Sequence, residues 1–193
     1  MAKKGFRRDN FEIAFNDAAT TGYIVECGAG AGKSLKTLVA MAQPNQLVFG
    51  FDSFEGLPED WKMNEEHTWP AGSFAFDEIP DMPGVELRIG WFSDTLPIWK
   101  KEHPGRIALL HIDSDLYSSC VTVLEELNDQ IHAGTIIVSD DHFYKPAHGT
   151  SHEYTLWEQG QYKAFEEWLE KYDRKAHLLS HGMIGQATYR IIK

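Results

Sequence analysis

Residues Tyr23–Cys27 form a short apolar run that passes directly into Gly28-Ala-Gly-Ala-Gly32 and then into a helical pattern, Ser34–Ala42, closed by Pro44. Strand, glycine turn and helix in immediate succession commit this stretch to one supersecondary unit, because glycine lets the backbone turn where side chains would collide. The rest of the chain repeats the theme. Gln46–Phe51, Val85–Trp91, Ile107–Ile112 and Thr135–Ser139 read as further strands, with helical patterns at residues 6–19, Tyr117–His132 and Gln161–Tyr172. Val121, Leu124, Leu127 and Ile131 fall at helical spacing, and Gly134 lies where a left-handed C-cap is wanted. Two closing strands, Ala176–Ser180 and Gln186–Ile192, are joined by a short turn around Gly182–Gly185 and should run antiparallel. Such alternation predicts right-handed crossovers and an α/β doubly wound sheet of seven strands, mostly parallel with the last reversed.

Length predicts one domain spanning residues 1–193. Ser53–Gly84 is too long and too rich in Pro, Gly, Trp and acids for an ordinary connection, and reads as a lid or binding loop. Eighteen Lys and Arg against 29 Asp and Glu leave a net charge of −11, which argues against general nucleic-acid or anionic-membrane binding. The basic opening MAKKGFRR leads into DNFEIAFND rather than an apolar stretch, so no signal peptide is expected, and no run approaches the ~20 apolar residues of a membrane span. Cys27 and Cys120 lie in apolar stretches and read as buried free thiols of the cytoplasm.

Three motifs carry chemistry. The first runs Glu26-Cys-Gly-Ala-Gly-Ala-Gly-Lys-Ser34. A phosphate-cradling loop needs a glycine five residues before Gly-Lys-Ser; that position is Cys27, so the nucleoside triphosphate reading fails. Glu26 before the loop and Asp52 ending the next strand suit an adenosine-type ligand with an amine and carboxylate tail, since a strand-end acid accepts hydrogen bonds from ribose hydroxyls. The bland alternative is a tight turn without ligand. The second motif is His111-Ile-Asp113-Ser-Asp115-Leu-Tyr117 and the third Ser139-Asp140-Asp141-His142, each at a strand end. Neighbouring parallel strands lie ~4.8 Å apart, so four carboxylates should meet at the ligand-binding edge. A hard divalent cation, Mg²⁺, Mn²⁺ or Ca²⁺, would relieve their repulsion. The competing account makes Asp113 or Asp115 a helix cap. His142 beside Asp141 is a candidate proton acceptor. His142, His148 and His152 share a loop, but no cysteine accompanies them and a zinc site is not expected. Trp157, Phe165, Trp168 and Tyr172 read as the core face of a helix.

Together the segments EC-GAGAGKS (26–34), FGFDSFEGLPE (49–59), GWFSDTLP (90–97), LLHIDSDLYSS (109–119) and IIVSDDH (136–142) resemble the macrocin O-methyltransferase family of class I S-adenosylmethionine-dependent methyltransferases. The resemblance implies a Rossmann-like fold and methyl transfer to a hydroxyl of a small molecule, usually a sugar on a natural product. It implies a cofactor site at Glu26, Gly28, Gly30, Ser34 and Ser53, with Asp52 on the ribose, Trp91 and Phe92 near the adenine, and Asp113 alongside. By the same analogy a divalent cation, Mg²⁺ first, falls to Asp113, Asp140 and Asp141. Catechol-type relatives place a lysine base where this chain has Leu116, which leaves Asp115 or His142 as the catalytic base. The family's longer N-terminal region helps build the substrate site and dimer, so a homodimer stays an open expectation. Two other classes compete: a metal-dependent glycosyltransferase using Asp113-Ser-Asp115, and a cofactor-binding module without turnover.

Overall fold

The computed structural model describes residues 3–5, 7–146, 152–182 and 185–193. In chain order it runs β1 (Lys3–Gly5), α1 (Arg7–Asp17), β2 (Tyr23–Cys27), α2 (Lys33–Met41) and β3 (Val48–Asp52). A small ribbon follows, β4 (Trp61–Lys62) and β5 (Thr68–Trp69), then β6 (Val85–Ile89), α3 (Phe92–Glu102), β7 (Ile107–Ile112) and α4 (Tyr117–Leu127). The chain ends with β8 (Ile136–Ser139), α5 (Gln161–Lys171), β9 (Ala176–Gly182) and β10 (Ala187–Ile191). The main sheet has the order β1-β9-β10-β8-β7-β2-β3-β6. Every pairing in it is parallel except the two made by β10, against β8 and β9. The seven expected strands are therefore present, with the last reversed.

Besides the small ribbon of β4 and β5, two elements of the main layers were not expected. Strand β1 adds an eighth member by pairing parallel to the edge strand β9, Lys3 opposite Ser180. Three residues, Lys-Lys-Gly, carry no alternation of their own, so only the open edge of β9 makes them a strand. Helix α3 contains Pro97, which removes one backbone donor from its interior and weakens the helical signal. Burial overrides that penalty, because Leu96 and Trp99 are fully enclosed in the core. The strand expected to reach Trp91 stops at Ile89, and Gly90 instead donates its N–H to the Asp52 carbonyl at 2.9 Å. Helix α4 ends at Leu127 and gives way to one 3₁₀ turn, Asn128–Gln130.

Both faces of the sheet are covered. One core joins Phe49, Phe51, Leu110 and Ile112 to Trp99 of α3, Val123 and Leu124 of α4, and Phe165 and Trp168 of α5. Of the aromatic face expected for one helix, Phe165 and Trp168 of α5 lie in this core with Tyr172 packed against it, whereas Trp157 stands in a separate 3₁₀ turn and packs on another cluster. The opposite core packs Ile24, Leu109 and Val138 against Phe11 of α1 and Leu35 and Leu38 of α2. Cys27 and Cys120 are buried and unpaired, and burial pushes both thiols up. Within residues 53–84, a third small cluster buries Leu57, Trp61 and Met63 against Leu116 and Tyr154. This segment is therefore anchored by its own apolar contacts and contains a β ribbon and no helix. Among the described residues no helix is long and apolar enough to cross a membrane.

Candidate active site

The carboxyl ends of β2, β3, β6 and β7 surround a cleft of about 260 Å³. Gly28, Gly30, Asp52, Ser53, Trp91, Phe92, Asp113 and Asp115 line it, as expected, and Gly56–Pro58, Phe74 and Phe76 from the 53–84 segment complete the wall. Gly28 adopts φ +98°, and a Cβ there would fall 1.8 Å from the Asp113 carbonyl oxygen. The first glycine is thus demanded by the protein's own β7 loop, whether or not a ligand is near. Gly30, at φ +46°, donates its N–H to Asp52 Oδ2 at 2.8 Å, and Phe54 donates to Asp52 Oδ1 at 2.8 Å. Each carboxylate oxygen keeps a further acceptor position. Ser53 is almost buried, its hydroxyl accepting from the Glu55 N–H at 3.1 Å.

Glu26 and Ser34 do not line the cleft. Register explains the difference: Glu26 pairs with His111, and His111 with Val138, so Glu26, His111 and Asp140 project to one face of the sheet beneath the loop. The Ser34 hydroxyl donates to Glu26 Oε1, and Glu26 is fully buried. His111 lies between the two acids, Nδ1 at 3.3 Å from Glu26 Oε2 and Nε2 at 3.0 Å from Asp140 Oδ1. Gln186 also donates to Asp140 Oδ1, and is itself held by Asn10 at 2.9 Å. No motif signalled this buried chain as a whole, because its members come from two strands, the flanks of two more, and two helices.

The acids after β7 and β8 fall into two groups whose ligand atoms lie within 4.8 Å of one another. One is Asp113, Asp115 and Asp141; the other is His111, Asp113 and Asp140. Asp113 belongs to both, while the expected trio of Asp113, Asp140 and Asp141 is divided between them. Asp115 holds a left-handed conformation, φ 59°, which aspartate tolerates better than most residues. Its burial, the facing charge and hydrogen bond of Asp141, and the charge of Asp113 raise its carboxyl well above the usual range, with Lys145 opposing. Lys145 Nζ is 3.2 Å from Asp141 Oδ1, a contact without a sequence signal. The capping alternative fails for Asp115 and Asp113 alike, since Leu116 holds the N-cap of α4 without a side-chain hydrogen bond.

His142 does not reach this cluster. It is fully buried beside Phe143, Tyr162, Phe165 and Tyr189, with Nδ1 3.3 Å from Ser139 Oγ and Nε2 3.1 Å from Tyr189 Oη. Desolvation lowers its pKa to about 3, which unsuits it to accept a proton near neutrality. A role as base is corrected on both grounds. His152 stacks on His67, ring centroids 3.3 Å apart, and His148 lies outside the described residues.

A sheet of this order, with a glycine loop after β2 and an acid ending β3, defines the class I methyltransferase fold. The chain belongs to the macrocin-O-methyltransferase (TylF) family, which matches residues 7–159. It is 28% identical to an 8-demethyl-8-(2,3-dimethoxy-alpha-L-rhamnosyl)-tetracenomycin-C 4'-O-methyltransferase of Streptomyces olivaceus, over 77% of this chain and 64% of that protein. The chain spans roughly half to two thirds of the length of the curated relatives it matches. Its fold is shared with CalS11, a calicheamicin methyltransferase, at a TM-score of 0.68 and 22% identity over 94% of this chain and 76% of that one. TomG of Streptomyces achromogenes, an O-methyltransferase solved with S-adenosylmethionine, superposes at a TM-score of 0.60 with 14% identity over 96% and 79%.

Proposed function

We propose that residues 1–193 form one catalytic domain that transfers a methyl group from S-adenosylmethionine to a sugar hydroxyl of a small molecule. The observation that carries this reading is a single cleft with the Asp52-tied glycine loop on one wall and Asp113 and Asp115 on the other, these two acids being grouped with the buried Asp141 behind them. Family membership and relatives named for methylating sugar-bearing products support the acceptor class.

Gly28, Gly30, Asp52 and Ser53 would hold the cofactor's tail and ribose, with Trp91 and Phe92 beside its adenine. The acceptor would lie against Phe74 and Phe76, which form part of the cleft wall. The acidic groups fit a divalent cation, because like charges crowd Asp115 and the facing cation is a partly exposed lysine. Asp113, the acid common to both groups, would hold it with Asp141 from one group and Asp140 from the other, Mg²⁺ being the first choice for an all-carboxylate set. A bound cation supplies positive charge that makes a nearby hydroxyl more acidic. Asp115 would take the hydroxyl proton, and a bound S-adenosylmethionine would supply the methyl group to the freed oxygen, giving up its carbon–sulfur bond to become S-adenosylhomocysteine. Alignment of oxygen, carbon and sulfur is the protein's main contribution.

Incubation with S-adenosylmethionine, Mg²⁺ and a panel of deoxysugar-bearing acceptors tests the reading by mass spectrometry. Gain of one methyl group on the sugar, with release of S-adenosylhomocysteine, is expected. Absence of S-adenosylmethionine binding by calorimetry would overturn it.

A further inference from the structure

Strand β6 ends the main sheet: it pairs with β3 on one side and, among the described residues, with no strand on the other. Its five residues, Val85-Glu-Leu-Arg-Ile89, keep unbroken parallel register with β3. Gly90 donates to the Asp52 carbonyl, so in a parallel ladder Glu86 and Arg88 also turn their backbone groups toward β3. Leu87 and Ile89, the alternate residues, turn theirs to the open edge. Such an edge is a template for another strand, and proteins commonly blunt it with proline, bulges or lysine. This strand carries none of the three. Arg88 is held on one face by Glu86 and by Glu102 of α3, with Nη2 2.7 Å from Glu102 Oε2. Both contacts use Nη2, and Nε has no hydrogen-bond partner among the described residues. On the other face Val85 and Leu87 pack on the core that holds Leu35 and Leu38, while Ile89 is 54% exposed. Helix α3 adds a second exposed isoleucine. Thr95 approaches Gly90 and Glu102 meets Arg88; Ile98 falls between them at helical spacing and is 56% exposed. Exposed apolar side chains therefore flank the open edge on both faces of the sheet.

We propose that a second copy of this chain pairs its β6 with this one, antiparallel, about a two-fold axis at Leu87. That axis sets Glu86 opposite the second copy's Arg88 and Val85 opposite its Ile89, and symmetry makes each pair twice. The outward backbone groups of Leu87 meet in a hydrogen-bonded pair. Glu86 and Arg88 then take the neighbouring position, where facing side chains come closest. Shifting the register by two residues would set Glu86 against Glu86 or Arg88 against Arg88, so charge selects the register. The strand is complementary to itself, and that makes a second copy its partner. A net charge of −11 opposes association at long range, and a strand this short buries little surface. The dimer therefore falls in the weak class, with Kd expected at roughly 1–100 µM.

Sedimentation velocity of the full chain between about 1 and 300 µM, at about 0.15 M salt to screen long-range repulsion, measures the association. A concentration-dependent shift from monomer to dimer is expected. Glu86→Arg and Arg88→Glu each turn both facing pairs into like charges and should weaken the dimer roughly tenfold or more. An equimolar mixture of the two variants should dimerise again near the unaltered affinity, because each copy then offers the other opposite charge at both positions. Circular dichroism melts check that the variants fold. Ile89→Asp, at an exposed position away from the ion pairs, should weaken the dimer roughly tenfold as well and replaces Arg88→Glu if that variant does not fold. A monomer throughout the range overturns the inference, as does a dimer untouched by Glu86→Arg and Ile89→Asp. Weakening by two folded charge variants without recovery in their mixture overturns it too, and so does growth beyond the dimer, which a closed two-fold contact forbids.

Discussion

The two walls of the cleft solve opposite electrostatic problems. On the β2–β3 wall, Asp52 receives backbone N–H groups on both oxygens, from Gly30 and Phe54, so its charge is compensated before any ligand arrives. On the β7 wall, Asp113 and Asp115 meet Asp141 from the loop behind them, and the cation set against this group is Lys145, itself partly exposed. The first wall is preorganised by the backbone that it orders. The second holds charges in mutual repulsion and stays strained until a proton or a cation arrives. A binding surface for a neutral ribose can be finished by the fold alone, whereas a surface that moves protons must keep its charge available.

The largest break in that contrast should come at Asp115. Asp115→Asn removes the proton acceptor and should lower turnover by about 10²- to 10⁴-fold, the usual worth of a general base, while calorimetry shows S-adenosylmethionine affinity nearly unchanged. On the opposite wall, Asp52→Ala should weaken S-adenosylmethionine by roughly 2–4 kcal/mol, from two charge-assisted hydrogen bonds. Because Asp52 also ties Gly30 and Phe54, part of that loss should be loop disorder, seen as faster amide hydrogen exchange at those two residues.

Cation binding sharpens the comparison further. Mg²⁺ at a hundredfold excess over its Kd should add about 2.7 kcal/mol to stability. The melting temperature should rise by several degrees, at roughly 2–4 °C per kcal/mol for a chain of this size. EDTA should reverse the shift, and Asp141→Asn should abolish it without moving cofactor affinity. A null result with Mg²⁺, Mn²⁺ and Ca²⁺ would leave Asp115 to act unaided.

Two smaller effects concern groups beside the second wall. His142 binds a proton only near pH 3 in the folded chain, against a usual value of 6.5. Its folded pKa is lowered, so the unfolded chain binds the extra proton and stability falls as pH drops below about 6.5, by at most about 1.4 kcal/mol per pH unit. Urea titrations from pH 7 to pH 4 should show this slope flattened in His142→Gln. Lys145→Met should tighten Mn²⁺ by a few-fold, roughly 1 kcal/mol or less, because the lysine competes for Asp141 and its own partial exposure screens the contact.

Much of this molecule was legible in local pattern. The strand–glycine–helix unit at 23–41, the seven strands with the last reversed, and the acids closing β3, β7 and β8 all follow from short-range apolar runs and turn residues. Such features arise from neighbours along the chain, so the chain reveals them. Tertiary structure alone decided the rest, because those choices depend on register and burial. The pairing of Glu26 with His111 turned an expected cofactor ligand into a buried link. Tyr189, from the reversed last strand, drew His142 into the core and away from catalysis. The division of the four aspartates into two groups, and the arrival of Lys145 beside one of them, required the loops after β7 and β8 to meet. A sequence fixes which groups stand at strand ends; which face each side chain takes, and what meets it there, is settled only when strands from distant parts of the chain come into register.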